Sequence, residues 1–163
     1  MLKSILIPKD RLPVLIGKNG KAKREIERMT RTKIKIGNEI TISGESIDIM
    51  DAANVVRAIA RGFSPEKSFA LLEEGKCLVV VELPRGEKAL KRIRSRIIGS
   101  SGRARRNIEK LTGTRISVYG KTVSIIGEHD DAEAARDAIE RLVRGFSHRA
   151  VYQHIGRRKN CGE

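Results

Sequence analysis

The sequence predicts an α+β protein made of two tandem units of the order βααββα, each a three-stranded antiparallel sheet covered by three helices. Three observations predict this fold: a near-global internal repeat, the same order of strand and helix patterns in both copies, and a Gly-x-x-Gly turn between the first two helices of each copy. With 163 residues, the chain is long enough for either one medium domain or two small ones. The repeat therefore decides the number of domains.

The repeat keeps an almost constant spacing along the chain. Gly17–Gly20 and Gly99–Gly102 lie 82 residues apart, and after the next turn the spacing becomes 83, so that Arg61–Ser64 (RGFS) recurs as Arg144–Ser147. One residue is thus inserted in a hairpin loop of the second copy. The predicted organisation is a first domain over residues 1–62, a linker helix over 63–76, a second domain over 77–146, and a C-terminal helix with a basic tail over 147–163.

Each copy opens with an apolar run bounded by proline, which predicts the first strand. A short helix, the glycine turn and a second helix with apolar residues at helical spacing follow it. The predicted elements are a strand at Ser4–Ile7 or Cys77–Leu83, a helix ending at Ile16 or Ile98, and a second helix at Ala22–Arg31 or Ala104–Thr112.

Alternating apolar residues next predict a β-hairpin in each copy, turning at Gly37-Asn38 and at Gly120-Lys121. A final helix closes each copy. Its predicted core positions are Ile49, Ala52, Val56 and Ile59 in the first copy, and Ala132, Ala135, Ala138, Ile139 and Leu142 in the second. Ser64 as N-cap and Pro65 at the first helical position predict the linker helix. For the basic tail, Arg157–Lys159, the sequence is compatible with either a helix end or a disordered segment.

The charge of the chain points to a polyanionic partner. Lys and Arg number 34 against 20 Asp and Glu, which gives a net charge of +14 and a pI near 10.3. A membrane surface would satisfy the same charge, but no stretch approaches the roughly 20 apolar residues that span a bilayer. The N-terminus also lacks the long apolar core of a signal peptide. We therefore expect a cytoplasmic protein without a membrane partner.

Two glycines spaced three apart between helices let a phosphate approach the backbone, because no Cβ blocks it and the helix N-terminus presents free N–H groups. A tight turn without a ligand would explain one such loop, but two loops at matching positions favour the anion-binding interpretation. A nucleotide-binding P-loop does not fit, because it needs Gly and Ser or Thr where this chain has Leu15 and Ala22. A DNA-reading helix-turn-helix does not fit either, since a strand precedes the helix pair and a hairpin follows it.

Ile-Gly-x-x-Gly in both copies, followed in the second by Thr-Gly-Thr-Arg-Ile-Ser-Val (Thr112–Val118), resembles the K-homology (KH) domain of type I. The resemblance implies that each loop clamps about four nucleotides of a single strand, with the bases in a groove between the helix pair and the second strand. It also implies groove walls that include Ile16, Ile26, Ile34, Ile98, Ile108 and Ile116, and base contacts by Arg115 and by Lys33. The predicted RNA-binding residues are Gly17, Lys18, Asn19, Gly20, Lys21 and Lys33 in the first copy, and Arg92, Arg96, Ile98, Gly99, Ser100, Ser101, Gly102, Arg103, Arg105, Arg106, Arg115 and Ile116 in the second.

Two KH units that fill nearly the whole chain are similar to the archaeal members of the ribosome assembly factor family called partner of Nob one. This similarity implies a role in maturation of small-subunit ribosomal RNA near its 3′ end. The implied partners are that RNA, the endonuclease that trims it, and the alpha subunit of translation initiation factor two. The rival hypothesis is a protein-interaction adaptor that links RNA processing to translation initiation and uses its KH units as docking surfaces.

Charge separates the two copies. Residues 85–121 carry 12 basic and two acidic residues, and Lys88, Arg92 and Arg96 lie four apart on one helix face. We therefore expect the second copy to be the stronger RNA site and the first to be the place for a protein partner. The three histidines, His129, His148 and His154, are scattered along the chain, and we expect them on the solvated surface. No His or Cys residues have the spacing of metal ligands. Both observations argue against an enzyme, a metal or a cofactor.

Overall fold

The structure, a computed structural model, describes residues 1–161. The chain divides into two compact units, Met1–Glu74 and Gly75–Glu163. No helix in the described part of the chain is long and apolar enough to cross a membrane.

The first unit has the predicted βααββα order, with a further short helix after it. Its elements are β1 (Leu2–Ile5), α1 (Leu12–Ile16), α2 (Lys21–Thr30), β2 (Lys33–Ile36), β3 (Ile40–Ser43), α3 (Ser46–Ala60) and α4 (Pro65–Ser68). The strands form an antiparallel sheet of order β1-β3-β2, in which Ile34 lies opposite Ile42. Side chains from all three strands and the helices enclose one apolar core.

The second unit repeats this order with longer elements. They are β4 (Lys76–Glu82), α5 (Glu87–Ile98), α6 (Arg103–Thr112), β5 (Arg115–Tyr119), β6 (Thr122–Glu128), α7 (His129–Arg144) and α8 (His148–Cys161). The sheet order is β4-β6-β5, with Ile116 opposite Ile125. Both hairpins turn at the predicted glycines, and all the predicted core positions of α3 and α7 are buried. The predicted α+β fold of two βααββα units is confirmed.

The first strand begins two residues earlier than the sequence pattern indicates. It spans Leu2–Ile5 instead of Ser4–Ile7, because its partner β3 runs only from Ile40 to Ser43 and pairs with Leu2–Ile5. Ile7 lies beyond the start of β3 and has no strand residue opposite it. Strand length is therefore set by the neighbouring strand as well as by local sequence.

The segments after each unit differ in length. In the first, the Ser64 hydroxyl accepts a hydrogen bond from the Lys67 N–H at 3.3 Å, as expected of an N-cap. Phe69 and Leu72 then pack against the core of the first unit. In the second, α8 continues to Cys161 and buries Val151 and Ile155. The basic tail is thus the end of a helix, because the buried residues anchor it.

Candidate nucleic-acid interface

The two glycine loops have the same backbone conformation. Gly17 has φ 74° and ψ 177°, and Gly99 has φ 73° and ψ 177°. The last glycines, Gly20 and Gly102, both have φ 75°. The residue before each of them also has a positive φ of 54°, which Asn19 accepts more readily than most residue types. Any ligand that recognises the backbone of one loop therefore fits the backbone of the other.

The first glycine of each loop is required by packing against the next helix. A Cβ on Gly17 would lie 2.7 Å from both the N and the Cβ of Ala22. A Cβ on Gly99 would lie 2.6 Å from the Cβ of Ala104. Because real Cβ atoms do not approach other atoms this closely, glycine here has a structural role in addition to any role in phosphate binding.

Each loop presents unpaired backbone donors. The Gly102 N–H donates to the Gly99 carbonyl at 3.2 Å and closes the turn, as the Gly20 N–H does to Gly17. Ser100 and Ser101 are the first two residues of that turn. Their N–H groups donate to no backbone carbonyl within residues 1–161. Two adjacent free donors beside a helix N-terminus form a site for an anion such as phosphate.

An arginine lies over the last glycine of each loop. A Cβ on Gly102 would lie 3.2 Å from Nη1 of Arg106, and a Cβ on Gly20 would lie 3.3 Å from Nη1 of Arg24. Arg106 is among the predicted RNA-binding residues, but Arg24 is not. The repeat spacing of 82 residues, which relates the two arginines, could have identified Arg24.

A carboxylate ties the edge strand of each sheet to the helix that follows the loop. Glu109 Oε2 accepts a hydrogen bond from the Ile116 N–H at 2.9 Å, and Arg105 Nη1 lies 3.1 Å from Glu109 Oε1. In the first unit, Glu27 accepts from the Ile34 N–H at 2.9 Å. This contact fixes the distance between helix and edge strand. Arg105, predicted to bind RNA, is thus held at the edge of the sheet.

The environment of Glu27 lowers its pKa. Burial by itself raises the pKa, but the hydrogen bond from the Ile34 N–H, the hydrogen bond from Lys23, and the positive charges of Lys23 and Lys33 together outweigh it. Glu27 is therefore ionised at neutral pH, which maintains its contact with the edge strand.

Most of the other predicted cations are exposed on the surface around the loops. The predicted RNA-binding cations that are exposed and form no ion pair within residues 1–161 are Lys18, Lys21, Lys33, Arg92, Arg103, Arg106 and Arg115. Asn19, Ser100 and Ser101 are exposed as well. These side chains are free to contact phosphate.

Five of the predicted residues make contacts inside their own unit. The Ile116 side chain is only 3% exposed and belongs to the core, as do Ile26, Ile34 and Ile108, and their role as groove walls stays a prediction. Ile16 and Ile98 are half-buried next to the loops. Arg96 donates to the Phe146 carbonyl at 2.5 Å and joins α5 to the end of α7.

The charges beside the two loops differ at two matched positions. Lys18 of the first loop corresponds to the uncharged Ser100, and Glu25 of α2, which forms an ion pair with Arg28 at 2.6 Å, corresponds to the uncharged Asn107. The two differences cancel, so residues 18–28 and residues 100–110 both carry a net charge of +3. The excess of positive charge in the second unit therefore lies on α5, before the loop, where α1 of the first unit has no charged residue.

Two of the three histidines are not simply solvated. His148 Nε2 lies 2.8 Å from the Arg96 carbonyl, and His154 Nε2 lies 3.1 Å from Asp137 Oδ2. Both are therefore only partly exposed, because α8 brings them against α5 and α7. His129 is exposed at the start of α7. Within residues 1–161, no three His, Cys, Asp or Glu side chains are grouped so that they could hold a metal ion.

Comparison with known proteins identifies both units. Residues 2–58 match the KH domain, and residues 78–160 match the eukaryotic type KH-domain (KH-domain type I) in the form of the second KH domain of PNO1. A KH domain-containing protein of Methanocaldococcus jannaschii is 39% identical to this chain, over 94% of this chain and 72% of that protein.

Two further similarities extend this result. The pre-rRNA-processing protein PNO1 of Chaetomium thermophilum is 32% identical, over 72% of this chain and 47% of PNO1, so the chain spans about half the length of that relative. A chain in the crystal structure of the a/eIF2alpha-aDim2p-rRNA complex of Pyrococcus horikoshii is 44% identical, with a TM-score of 0.91 over 98% of this chain and 94% of that chain. This chain therefore belongs to the family of tandem KH-domain proteins that includes PNO1 and its archaeal homologues.

Proposed function

We propose that this protein binds single-stranded ribosomal RNA through its two Gly-x-x-Gly loops and acts in maturation of the small ribosomal subunit. One observation carries the proposal: the same loop conformation occurs twice, and both loops are surrounded by exposed cations without ion pairs. Backbone donors hold phosphates in place, and cations add affinity by releasing the counterions of the RNA.

The loops favour a single strand over a duplex. A KH loop clamps about four nucleotides whose bases turn into a narrow groove, and a stacked duplex would have to open to reach it. Tyr and Phe together number only five, and there is no Trp, so bases would contact aliphatic surface and hydrogen-bonding groups. Base contacts by Arg115 and Lys33, both exposed on the edge strands, are part of this proposal.

The choice of RNA rests on the relatives. PNO1 is named a pre-rRNA-processing protein, and the Pyrococcus complex contains rRNA. We extend these properties to this chain and propose small-subunit rRNA near its 3′ end as the ligand, with a cytoplasmic location. The endonuclease that trims this RNA is a further proposed partner.

A competition titration with the purified chain tests the RNA ligand. A labelled single strand of the rRNA 3′ end should be displaced by the same unlabelled strand at a concentration at least about tenfold lower than by its duplex. Equal displacement would indicate nonspecific charge attraction. Crosslinking in cell extract provides the second test, since recovery of many transcripts without enrichment of small-subunit rRNA would contradict the assembly role.

A second candidate function, docking of a protein, is favoured by the apolar surface of the first unit. Leu2, Leu6, Ile47 and Met50 are between 61% and 75% exposed. The Ser46 hydroxyl lies 2.6 Å from the Met1 sulfur, which brings the start of β1 beside the start of α3. A partner of this kind, the alpha subunit of translation initiation factor two, is present in the Pyrococcus complex.

Charged substitutions test this docking surface. Ile47→Glu with Met50→Glu should weaken binding of the purified alpha subunit at least about tenfold, because it places charges in an apolar contact. Affinity for RNA should change less than about twofold, since both positions lie on α3 and outside the loops. Unchanged binding of the alpha subunit would remove this surface as its site.

A further inference from the structure

A groove runs along one side of α5 and ends at the second loop. We call it the α5 groove; it encloses about 330 Å³. Its lining residues are Glu87, Leu90, Lys91, Arg94, Ser95 and Ile98. Because Ile98 directly precedes Gly99, an RNA strand held by the loop would pass over the end of this groove.

The pocket beside the first loop is built differently: it encloses about 330 Å³ and is lined by residues of α1, the loop and α2 together with Pro65, Glu66 and Phe69. Helix α1 of the first unit has five residues, whereas α5 has 12. At the repeat spacing, Leu12 corresponds to Arg94, and the 3₁₀ turn Lys9–Arg11 that precedes α1 corresponds to Lys91–Ile93. The residues of α5 without a helical counterpart in the first unit are therefore Glu87–Leu90, which at 1.5 Å per residue extend the helix by about 6 Å. The longer α5 therefore gives the second unit a stretch of helix surface that the first unit lacks.

The side chains of the α5 groove combine an apolar floor with positive charge. Leu90 and Ile98 are half-buried, and Leu90 packs against the core of the second unit. Lys91 and Arg94 form no ion pair within the described residues. The Ser95 hydroxyl donates to the Lys91 carbonyl at 2.9 Å and is already engaged. A flat apolar surface beside two free cations suits a nucleobase with its phosphate.

We propose that the α5 groove binds one further nucleotide of the RNA strand that the second loop holds, with the base on Leu90 and the phosphate at Lys91 and Arg94. Glu87 at the far end of the groove repels a second phosphate and limits the extension. Since a KH loop clamps about four nucleotides, the second unit would bind about five. This inference rests on the proposed RNA-binding function.

RNA is favoured over a protein as the occupant for two reasons. The groove continues from a loop whose free N–H groups and flanking cations already suit phosphate. In addition, its two free cations outnumber its single carboxylate, which gives it the charge complementary to a polyanion. An apolar segment of a protein would leave both cations without a partner.

The test compares single-stranded oligonucleotides of four, five and six nucleotides, each too short to occupy both loops at about four nucleotides per loop. The variants are Lys91→Ala with Arg94→Ala and, as a control of equal charge change, Arg157→Ala with Arg158→Ala at exposed positions of α8. The wild-type chain should gain about tenfold in affinity between four and six nucleotides. The Lys91/Arg94 variant should lose this gain and bind four nucleotides within about twofold of the control.

The possible outcomes separate this inference from the function on which it rests. If the affinity of the Lys91/Arg94 variant still rises with oligonucleotide length as in the wild-type chain, the α5 groove does not bind RNA and the inference is wrong. An equal loss at all lengths in both variants would mean that only the overall charge matters, which also overturns the inference. If the wild-type chain binds no oligonucleotide, the proposed function itself fails. Should the double variant be unstable, Lys91→Ala at its exposed position gives the same comparison.

Discussion

The two units of this protein share the backbone conformation of the Gly-x-x-Gly loop and differ in the side chains that surround it. The first glycines of the loops agree within a degree in φ. The first loop carries a lysine, Lys18, but has the Glu25–Arg28 ion pair on the next helix. The second loop carries Ser100 and Ser101, while unpaired arginines open the helix behind it. A repeat can therefore conserve a loop backbone while the side chains around it diverge, and we expect those side chains to determine the RNA affinity of each loop.

Loop substitutions should give the largest effect. Ser100→Asp with Ser101→Asp keeps the glycines and places two negative charges beside the free N–H groups, so we expect RNA affinity to fall about 100-fold. Aspartate tolerates the positive φ of these loops, so the fold should persist. Titration with one single-stranded RNA measures the loss, and circular dichroism checks the fold.

The matching change in the first unit, Lys18→Asp with Asn19→Asp, sharpens the comparison. It alters the charge by one unit more than the change at Ser100 and Ser101, yet we expect a smaller loss of about tenfold, because α5 before the second loop carries five Lys and Arg residues whereas α1 before the first loop carries none. A larger loss from the first loop than from the second would reverse the order of the two units. In that case the local charge count would not determine RNA affinity.

Salt dependence tests whether the arginines over the last glycines, Arg106 and Arg24, contact phosphate. The slope of log K against log salt should fall by about 0.7 for Arg106→Ala, which is the value for one phosphate contact in a single strand. Arg24→Ala should have the same effect on RNA bound to the first loop. The slopes come from titrations at several salt concentrations. A slope unchanged by Arg106→Ala would mean that its guanidinium does not meet a phosphate.

Acid should destabilise the first unit through Glu27. Its lowered pKa stabilises the folded chain at pH values above the unfolded-state pKa of a glutamate, about 4.3. This stabilisation is lost as the pH falls through the lower folded-state pKa. We expect Glu27→Gln to cost about 1 kcal/mol at pH 7 and less near pH 3. Thermal unfolding at both pH values measures this, and an equal cost at the two would contradict it.

The smallest effect concerns the residue that ends the helix after each loop. Arg31 has φ 57°, whereas the corresponding residue of the second unit is Gly113 with φ 71°. Arg31→Gly should raise the stability of the first unit by about 0.5–1 kcal/mol, because glycine adopts this conformation without strain. Gly113→Arg is the reciprocal change and should destabilise the second unit by a similar amount. Unfolding midpoints that move in the opposite directions would exclude strain at Arg31.

The sequence was sufficient to predict the features that depend on local chemistry. Apolar periodicity predicted the βααββα order, and the turn glycines predicted the hairpins. The repeat predicted two equivalent loops, and the charge count predicted a basic surface around the second. Each of these features follows from residues close together in the chain, so no knowledge of packing was needed.

The sequence did not reveal the contacts that form where distant segments meet. Ile116 looked like a groove residue by position, but pairing with Ile125 on a covered sheet makes it a core residue. Arg96 looked like one of a row of surface cations, yet it donates to a carbonyl 50 residues away. Arg11 makes the same kind of contact with Phe63 in the first unit at 2.7 Å. The repeat spacing does not relate these two arginines, so sequence comparison could not reveal their shared role.

By itself, then, the amino-acid sequence determined the number of units, the order of their elements, the two loops and the excess of positive charge, because periodicity, glycine and net charge act locally or as a sum. Tertiary structure alone decided which isoleucines are buried, how Glu27 and Glu109 hold the edge strands, and where α5 forms its groove. These features depend on distances between atoms that the chain brings together only on folding. Their energetics come from burial and from hydrogen-bond geometry, and neither is readable from a single segment.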